Sequence, residues 1–145
     1  MGSSKRLMSR SEAREDVISY LASRLEDELS MADAILILND RLKRIKVEAN
    51  ARWCRFAFQN GTPVLPDLES RFDTVIYRLD PARKSSDLYL QLAASRMESG
   101  ALLWMLGSND EGVKSAAKNL SPYFEQAETY DSVSYTHLRA HETVE

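Results

Sequence analysis

The stretch FDTVIYRLDPARKSSDLYLQLAASRMESGALLWMLGS, residues 72–108, decides the fold class of this chain. It opens with the strand-like run FDTVIYRL, which Pro81 ends, and it continues with a helical pattern up to Gly100. The apolar positions of that pattern are Leu88, Leu92, Ala93 and Met97. Gly100 suits the residue just beyond a helix end, and ALLWMLGS is typical of a buried strand. A strand, a helix and a second strand at this spacing predict a βαβ unit with parallel strands and a right-handed crossover.

The residues before this unit predict a helix and a further buried strand. Residues 11–30 carry one apolar stripe at helical spacing, formed by Val17, Ile18, Leu21, Leu25 and Leu29. Residues 34–38 form a short, uniformly apolar run that ends at the polar Asn39 and Asp40. Such a run is typical of a strand that is buried on both faces.

Residues 41–58 support two interpretations. A strand is indicated by the alternation of Val47, Ala49, Ala51 and Trp53 with polar residues. A helical stripe is indicated by Leu42, Ile45, Ala49, Trp53 and Phe56. We expect a helix over residues 40–44 and leave the rest of the segment open. Gly61, Pro63 and Pro66 then indicate a loop.

The strand-and-helix pattern repeats after residue 108. Residues 109–124 predict a second helix, with Val113, Ala116, Ala117 and Leu120 on one face. Residues 125–132, EQAETYDS, begin another strand. Strands that alternate with helices in this way predict an α/β fold with a mostly parallel sheet and flanking helices.

Composition limits the classes of function. The chain has 145 residues, about one domain, and its 43% hydrophobic content is too high for intrinsic disorder. The net charge of -3 and the pI near 5.5 argue against a strongly basic nucleic-acid-binding module. A single cysteine fits a reducing compartment, and no signal-peptide pattern or apolar run of membrane-spanning length is present. We therefore expect a cytoplasmic protein.

The turns after the strands do not carry a nucleotide-binding motif. The turn that follows residues 34–38 is Asn39-Asp40-Arg41, without a glycine, and the sequence has no Gly-rich phosphate-binding motif. Gly107 could open an anion site at a helix N-terminus. The alternative is a plain turn in which Asn109 or Asp110 caps the helix. We favour the turn, because Asp110 and Glu111 would repel an anion.

Candidate nucleophiles and metal ligands are few. Cys54 lies in an apolar stretch beside Trp53, which favours a packed thiol over a reactive one. His137, His141 and Glu142 have a spacing compatible with metal ligands on a helix, but they lie in a segment that we set aside below.

Two groups of basic residues are candidates for contact with RNA phosphates. The first group is Arg41, Lys43, Arg44 and Lys46, with Arg52 and Arg55 further on. The second is Arg83 and Lys84, which follow Pro81 and Ala82. A solvated surface is the alternative interpretation, since runs of charge are common on exposed faces.

Several features occur together in an order typical of one enzyme family. They are the Pro-basic turn between Tyr77 and Lys84, the strand that ends with Gly107 and Asn109 close behind it, the run EGVKSA at residues 111–116, and the Asp131-Ser132 pair. Residues 70–132 thereby resemble the N-terminal domain of the small-subunit ribosomal RNA guanine-N2 methyltransferases, and residues 15–69 resemble it more loosely.

The resemblance implies a class I, Rossmann-like methyltransferase fold, present twice in the parent enzyme. The N-terminal copy in that family is degenerate, does not bind S-adenosylmethionine, and aids folding and RNA positioning. The catalytic copy carries a Gly-rich motif and an Asn-Pro-Pro-Phe motif, and neither occurs in this sequence. We therefore expect no catalytic, cofactor-binding or metal-binding residue here, with S-adenosylmethionine, rRNA and the catalytic domain as partners of the full-length parent.

The match to the family ends at Ser132. Residues 133–145, VSYTHLRAHETVE, resemble a translated sequencing-adapter segment. We predict a flexible tail at residues 1–10, a degenerate methyltransferase-like domain at residues 11–132, incomplete at its C-terminus, and a non-native tail at residues 133–145. On this prediction the chain is an inactive fragment that lacks its catalytic domain. The alternative is a stand-alone α/β interaction or dimerisation module, which would use its sheet edges or the apolar residues 53–58.

Overall fold

The computed structural model describes residues 10–55, 65–108, 111–112, 124–131 and 135–140. Its helices are α1 (Arg10–Arg24), α2 (Glu26–Leu29) and α3 (Arg83–Ser95). Its strands are β1 (Ile35–Leu38), β2 (Ala51–Trp53), β3 (Phe72–Arg78), β4 (Met97–Leu106), β5 (Phe124–Asp131) and β6 (Tyr135–Ala140). They form one sheet in the order β2-β1-β3-β4-β6-β5. The first four strands in this order run parallel, which confirms the predicted α/β class and mostly parallel sheet.

Helix α3 covers one face of the parallel strands. Helices α1 and α2 cover the other face, together with the connection between β1 and β2. The cluster beneath α3 is formed mainly by Leu36, Leu38, Val75, Tyr77, Tyr89, Leu90, Ala93, Leu103 and Met105. The cluster beneath α1 is formed mainly by Ile18, Leu21, Leu25, Leu29, Ile35, Ile37, Ile45, Ile76 and Trp104. Because side chains of a strand alternate between faces, β1, β3 and β4 contribute to both clusters. This burial on both faces explains why β1 and the later part of β4 are continuous apolar runs.

The connection between β1 and β2 is not the helix that we predicted over residues 40–44. Both carboxylate oxygens of Asp40 accept backbone N–H groups, from Arg44 at 2.9 Å and from Ile45 at 2.9 Å. Lys43 has a φ of 54°, which a helix does not allow. A side-chain carboxylate that satisfies these N–H groups therefore holds the chain in a tight turn, and the helix prediction was wrong.

Beyond this turn the chain runs back to the amino end of β1. There the backbone N–H of Asn50 donates to Ile35 O, and the N–H of Ile35 donates to the Asn50 side chain, both at 2.9 Å. This pair aligns the chain for β2, so the strand interpretation is correct for residues 51–53.

The helix predicted after Pro81 is confirmed as α3, but its end and its face differ from the prediction. α3 ends at Ser95, and Met97 and Gly100 belong to β4. Gly100 has a φ of 78° within that strand, so it is not the residue that ends the helix. Leu88 is 43% exposed, while Tyr89 and Leu90 are buried in its place. The stripe was extended too far because Met97, a buried strand residue, lies at helical spacing from Ala93.

The C-terminal strands form the antiparallel part of the sheet. β6 pairs antiparallel with β4 on one side and with β5 on the other, which leaves β5 at the edge. The strand predicted from residue 125 onward is confirmed as β5. β6 lies within residues 133–145, which the prediction sets aside as non-native, and it was therefore not anticipated. The origin of that segment stays a prediction.

Several predictions fall on residues outside the described ranges. They concern the tail at residues 1–9, most of the helix at 109–124, the apolar residues 56–58, and His141 and Glu142. In the part of the chain that is described, no helix is both long enough and apolar enough to cross a membrane.

Candidate functional site

A crevice opens at the carboxyl ends of β1 and β3, with a volume of about 330 Å³. The chain passes from β1 to β2 on one side, whereas β3 lies on the other side of β1. Open α/β sheets bind ligands at such a reversal of strand order, just beyond the strand ends. The crevice is lined by Glu15, Asn39, Asp40, Arg41, Leu42, Arg78, Leu79, Asp80, Pro81 and Glu111.

Asn39 forms the floor of the crevice and ties three strand ends together. Its backbone N–H donates to Trp53 O at the end of β2, at 2.9 Å. Its side-chain Nδ2 donates to Arg78 O at the end of β3, at 2.8 Å. The residue has a φ of 65°, in the left-handed region that asparagine tolerates better than most side chains. The amide therefore spans the gap between β1 and β3.

Asp40 stands beside this floor but is occupied by its own turn. Its side chain is only 4% exposed, and Arg52 Nη1 lies 3.4 Å from Oδ2. Arg52 also donates to the carbonyl oxygens of Ile45 and Val47, at 2.9 and 2.6 Å. Asp40 and Arg52 thus hold the connection in place, and Arg52 is committed to internal contacts.

A buried arginine connects three segments at the back of the crevice. Arg78 Nη1 lies 2.9 Å from Glu111 Oε2, and Arg78 Nη2 lies 3.3 Å from Glu15 Oε1. Glu111 Oε1 also accepts the N–H and the hydroxyl of Ser108, at 3.1 and 2.9 Å. The network links α1, β3 and the turn after β4. Its two carboxylates outnumber its one guanidinium, so this part of the crevice is net negative.

Asp80 and the start of α3 form the opposite wall. The backbone N–H of Asp80 donates to the hydroxyl of Tyr77 at 2.9 Å, and this hydroxyl donates to Ser86 at 3.0 Å. Burial raises the pKa of Tyr77 to about 12, although its hydrogen bonds with Ser86 and Asp80 oppose the rise. Asp80 Oδ1 accepts the N–H of Ala82 at 2.9 Å. The wall is therefore anchored in the core by a tyrosine that stays neutral at physiological pH.

Cys54, which was considered as a nucleophile, contacts two side chains of the fold. Cys54 Sγ lies 3.7 Å from Asn39 Oδ1 and 3.8 Å from the hydroxyl of Tyr89. Burial raises the pKa of that hydroxyl, and the hydrogen bond that it accepts from the backbone N–H of Arg55 opposes the rise. The thiol thus lies between the crevice floor and the core beneath α3.

Part of both predicted basic groups lies at the carboxyl end of the sheet, where the crevice opens. Arg41 lines it, and Lys43 lies exposed on the same turn. Arg83 and Lys84 are exposed at the first two positions of α3, directly after the Pro81 turn. We call Arg41, Lys43, Arg83 and Lys84 the basic rim. Arg44 and Lys46 are not part of it, because they lie on the connection that leads back to the amino end of the sheet.

Reasoning from the sequence did not single out Glu15, Arg78 or Asp80, and it considered Glu111 only as an acid that would repel an anion. Asp80 could have been found, because polar residues that follow neighbouring parallel strands meet at one edge. Glu15 and Glu111 lie 63 and 33 residues from Arg78, so no local pattern links them.

This sheet order and crevice prompt comparison with known proteins. A family model described as methyltransferase small domain N-terminal matches residues 17–140. The chain belongs to this family. The family predicted from the sequence is thereby confirmed. No curated protein sequence matches the chain significantly.

Solved methyltransferase structures share the fold of this family member. The 16S rRNA N2 G1207 methyltransferase of T. thermophilus, in complex with AdoMet and guanosine, matches with a TM-score of 0.57 and 11% identity. That match covers 89% of this chain and 38% of the Thermus chain. N-methyltransferase NodS from Bradyrhizobium japonicum WM9 matches with a TM-score of 0.51 and 11% identity, over 88% and 97% of the two chains. At such identities the likeness shows the Rossmann-like methyltransferase fold alone.

The residues of the crevice do not fit S-adenosylmethionine, the methyl donor of such enzymes. A donor site of this kind needs glycines after β1, so that the ligand can approach the backbone. Here that position holds Asn39, whose amide already bonds to Arg78 O at 2.8 Å. Behind it, the buried ion pairs of Arg78 with Glu15 and Glu111 connect the neighbouring segments. We therefore derive no methyl-transfer step at this crevice.

Proposed function

We propose that residues 11–132 form the degenerate, non-catalytic N-terminal domain of an S-adenosylmethionine-dependent rRNA guanine-N2 methyltransferase, and that this domain positions RNA. One observation carries the RNA-binding part of the proposal. Arg41 lines the crevice, and Arg83 and Lys84 begin α3 just beyond Pro81, which lines it as well.

The distribution of charge supports this proposal more than the net charge does. The whole chain carries a formal charge of -3, so its overall field does not attract RNA. The basic rim concentrates Arg41, Lys43, Arg83 and Lys84 at one edge of the sheet, where their side chains are exposed. Phosphate contacts of this kind fix the position and orientation of a nucleic acid without reading its sequence.

The parent enzyme is part of the proposal. The Thermus protein acts, by its description, on a guanine of 16S rRNA, and this chain spans 38% of its length. We infer that a catalytic domain which binds S-adenosylmethionine accompanies this domain in a cytoplasmic parent. This domain would aid the folding of that parent and hold the RNA while the catalytic domain transfers the methyl group.

Paired charge removal tests the RNA-binding role. We expect both Arg41→Ala/Lys43→Ala and Arg83→Ala/Lys84→Ala to weaken binding of single-stranded RNA, whatever its sequence. Each pair should reduce the slope of log affinity against log salt by about 1.4, because each lost phosphate contact on a single strand contributes about 0.7. Fluorescence anisotropy with a labelled RNA over a salt series measures both quantities.

The matched control is Arg24→Ala/Arg71→Ala, which removes two exposed charges near the opposite edge of the sheet. This pair should leave the salt slope unchanged. If the control pair and the rim pairs reduce the slope equally, the RNA contact is not at the basic rim and this part of the proposal fails.

Calorimetric titration with S-adenosylmethionine tests the non-catalytic role. We expect no binding by this chain, since the floor of the crevice carries Asn39 where a donor site needs glycine. The same titration with a methyltransferase known to bind the donor serves as the positive control. Micromolar binding to this chain would contradict a degenerate domain.

A further inference from the structure

A short loop at the amino end of the sheet presents exposed leucines. Residues 65–71 lead into β3, and the N–H of Ser70 donates to Asp67 O at 3.0 Å, which closes a tight turn with Leu68 at its tip. Leu68 is 71% exposed, and Leu65 is 46% exposed. Small and polar residues usually occupy such turns, because a leucine gains nothing from contact with water.

Exposed apolar side chains are concentrated at this end of the sheet. Six large ones are exposed in the described ranges, and three of them, Met31, Leu65 and Leu68, lie on the two loops that lead into β1 and β3. The N–H of Asp33 donates to Asp73 Oδ2 at 2.8 Å, which ties the first of these loops to the start of β3. A single exposed leucine is ordinary, whereas several apolar side chains together are typical of a protein–protein contact.

Two arginines hold the loop before β3 by its backbone. Arg71 Nη1 donates to Leu68 O and to Ser70 O, at 2.5 and 2.9 Å. Arg96, which is buried, donates from Nη2 to Pro66 O at 3.1 Å. A loop that is fixed in this way loses little further conformational freedom when a partner covers it. The turn therefore presents Leu68 in a preorganised position.

A groove of about 540 Å³ lies beside this turn. Its apolar lining comes from Ala34, Ala51, Leu65, Pro66 and Phe72. Asp67 and Ser70 also line the groove, whereas Leu68, which lies between them in the sequence, does not. The tip of the turn thus projects away from the groove. The surface combines a protruding leucine with a cavity that is large enough to receive one.

Unpaired charges of both signs lie on the same loop. Asp67, Glu69 and Arg71 are exposed, and none of the three forms an ion pair with another described residue. Arg71 uses only Nη1 for the backbone carbonyls of the loop. A two-fold axis beside the loop sets the arginine of one copy against the acids of the other copy, and does so twice. The surface is therefore complementary to itself in charge as well as in shape.

We propose that this surface pairs two copies of the chain, with Leu68 of each copy in the groove of the other. The pairing is symmetric, as most contacts between identical subunits are, because the protruding turn and the groove lie side by side. A nucleic acid does not suit this surface, since Asp67 and Glu69 repel phosphate. The basic rim lies at the carboxyl ends of the strands, so a dimer of this kind leaves both rims exposed.

Sedimentation velocity over a concentration series tests the pairing. We expect the apparent mass to rise from that of one chain, 16.5 kDa, toward that of a pair. Leu68→Asp should weaken association by about a hundredfold, because losing an apolar anchor costs about tenfold and a two-fold interface contains the anchor twice.

The matched control is Leu88→Asp, which changes a 43% exposed leucine on α3 and should associate like the unchanged chain. Both variants alter an exposed side chain, so both should keep the circular dichroism spectrum of the unchanged chain. A chain that stays monomeric throughout the series would overturn the proposal, and so would association that survives Leu68→Asp.

Exchanged charges test the two-fold arrangement. Asp67→Lys/Glu69→Lys makes the loop wholly basic, and Arg71→Glu makes it wholly acidic, so neither variant should associate with itself. A mixture of the two should form a mixed pair, since each basic loop then faces an acidic one. A mixture that stays monomeric while the unchanged chain dimerises would contradict this arrangement. The RNA titrations with the rim variants decide the proposed function separately from either result.

Discussion

Arg78→Ala is expected to lower the free energy of unfolding by about 3–5 kcal/mol, because it leaves two partly or wholly buried carboxylates without their cation. Arg78 is itself buried, and its ion pairs join α1, β3 and the turn after β4. The loss should therefore loosen contacts on both sides of β3. Urea unfolding followed by circular dichroism measures the change.

Two further variants make the result specific. Arg83→Ala removes an exposed charge and should change stability by less than about 0.5 kcal/mol. A triple variant, Arg78→Met with Glu15→Gln and Glu111→Gln, removes the whole charge network and should recover much of the loss, since a buried ion pair contributes little over a neutral replacement. A loss below about 1 kcal/mol in Arg78→Ala would show that the network does not hold these segments together.

Removing residues 133–145 is expected to destabilise the sheet severely and to cause aggregation. β6 supplies the hydrogen-bonding partner of β4 along Leu102–Leu106 and of β5 along most of its length. Without β6 the edge of β4 is exposed through its most apolar part, and an apolar open edge pairs readily with other chains. Size-exclusion chromatography and thermal unfolding of a chain that ends at residue 132 measure both effects.

The control for this deletion is a chain that ends at Ala140, which keeps β6 and should behave like the full chain. A second control keeps the length of the tail but shuffles residues 133–140. If the shuffled tail restores stability fully, the pairing depends on backbone length alone. A monomeric, cooperatively unfolding chain without residues 133–145 would contradict the prediction.

The sequence predicts the buried strands well because their signal is local. β1, β3 and the second half of β4 are runs in which nearly every side chain is buried, and such runs are visible without knowing their partners. The connection after β1 was not predictable in this way. There a single side chain, Asp40, satisfies backbone N–H groups that a helix would otherwise use, and that choice overrides the helical spacing of Leu42 and Ile45.

The candidate site was predictable only at its mouth. Basic residues are recognisable in the sequence, and the turn positions of Arg41 and Arg83 follow from the strands before them. The interior depends on Glu15 and Glu111 meeting Arg78 across long stretches of chain. Contacts between residues so far apart in the sequence depend on the order of the strands in the sheet. Predicting each strand separately does not give that order.

The two tryptophans of this chain lie on opposite faces of the sheet. Trp53 packs against the cluster beneath α3, with its ring 5.5 Å from that of Tyr89, and Trp104 is buried in the cluster beneath α1. The protein therefore contains two natural fluorophores, and each reports on one layer. Replacing either one by phenylalanine would leave an optical probe of the other layer. Emission from the two single-tryptophan proteins would then reveal whether both layers melt in one step or whether one outlasts the other.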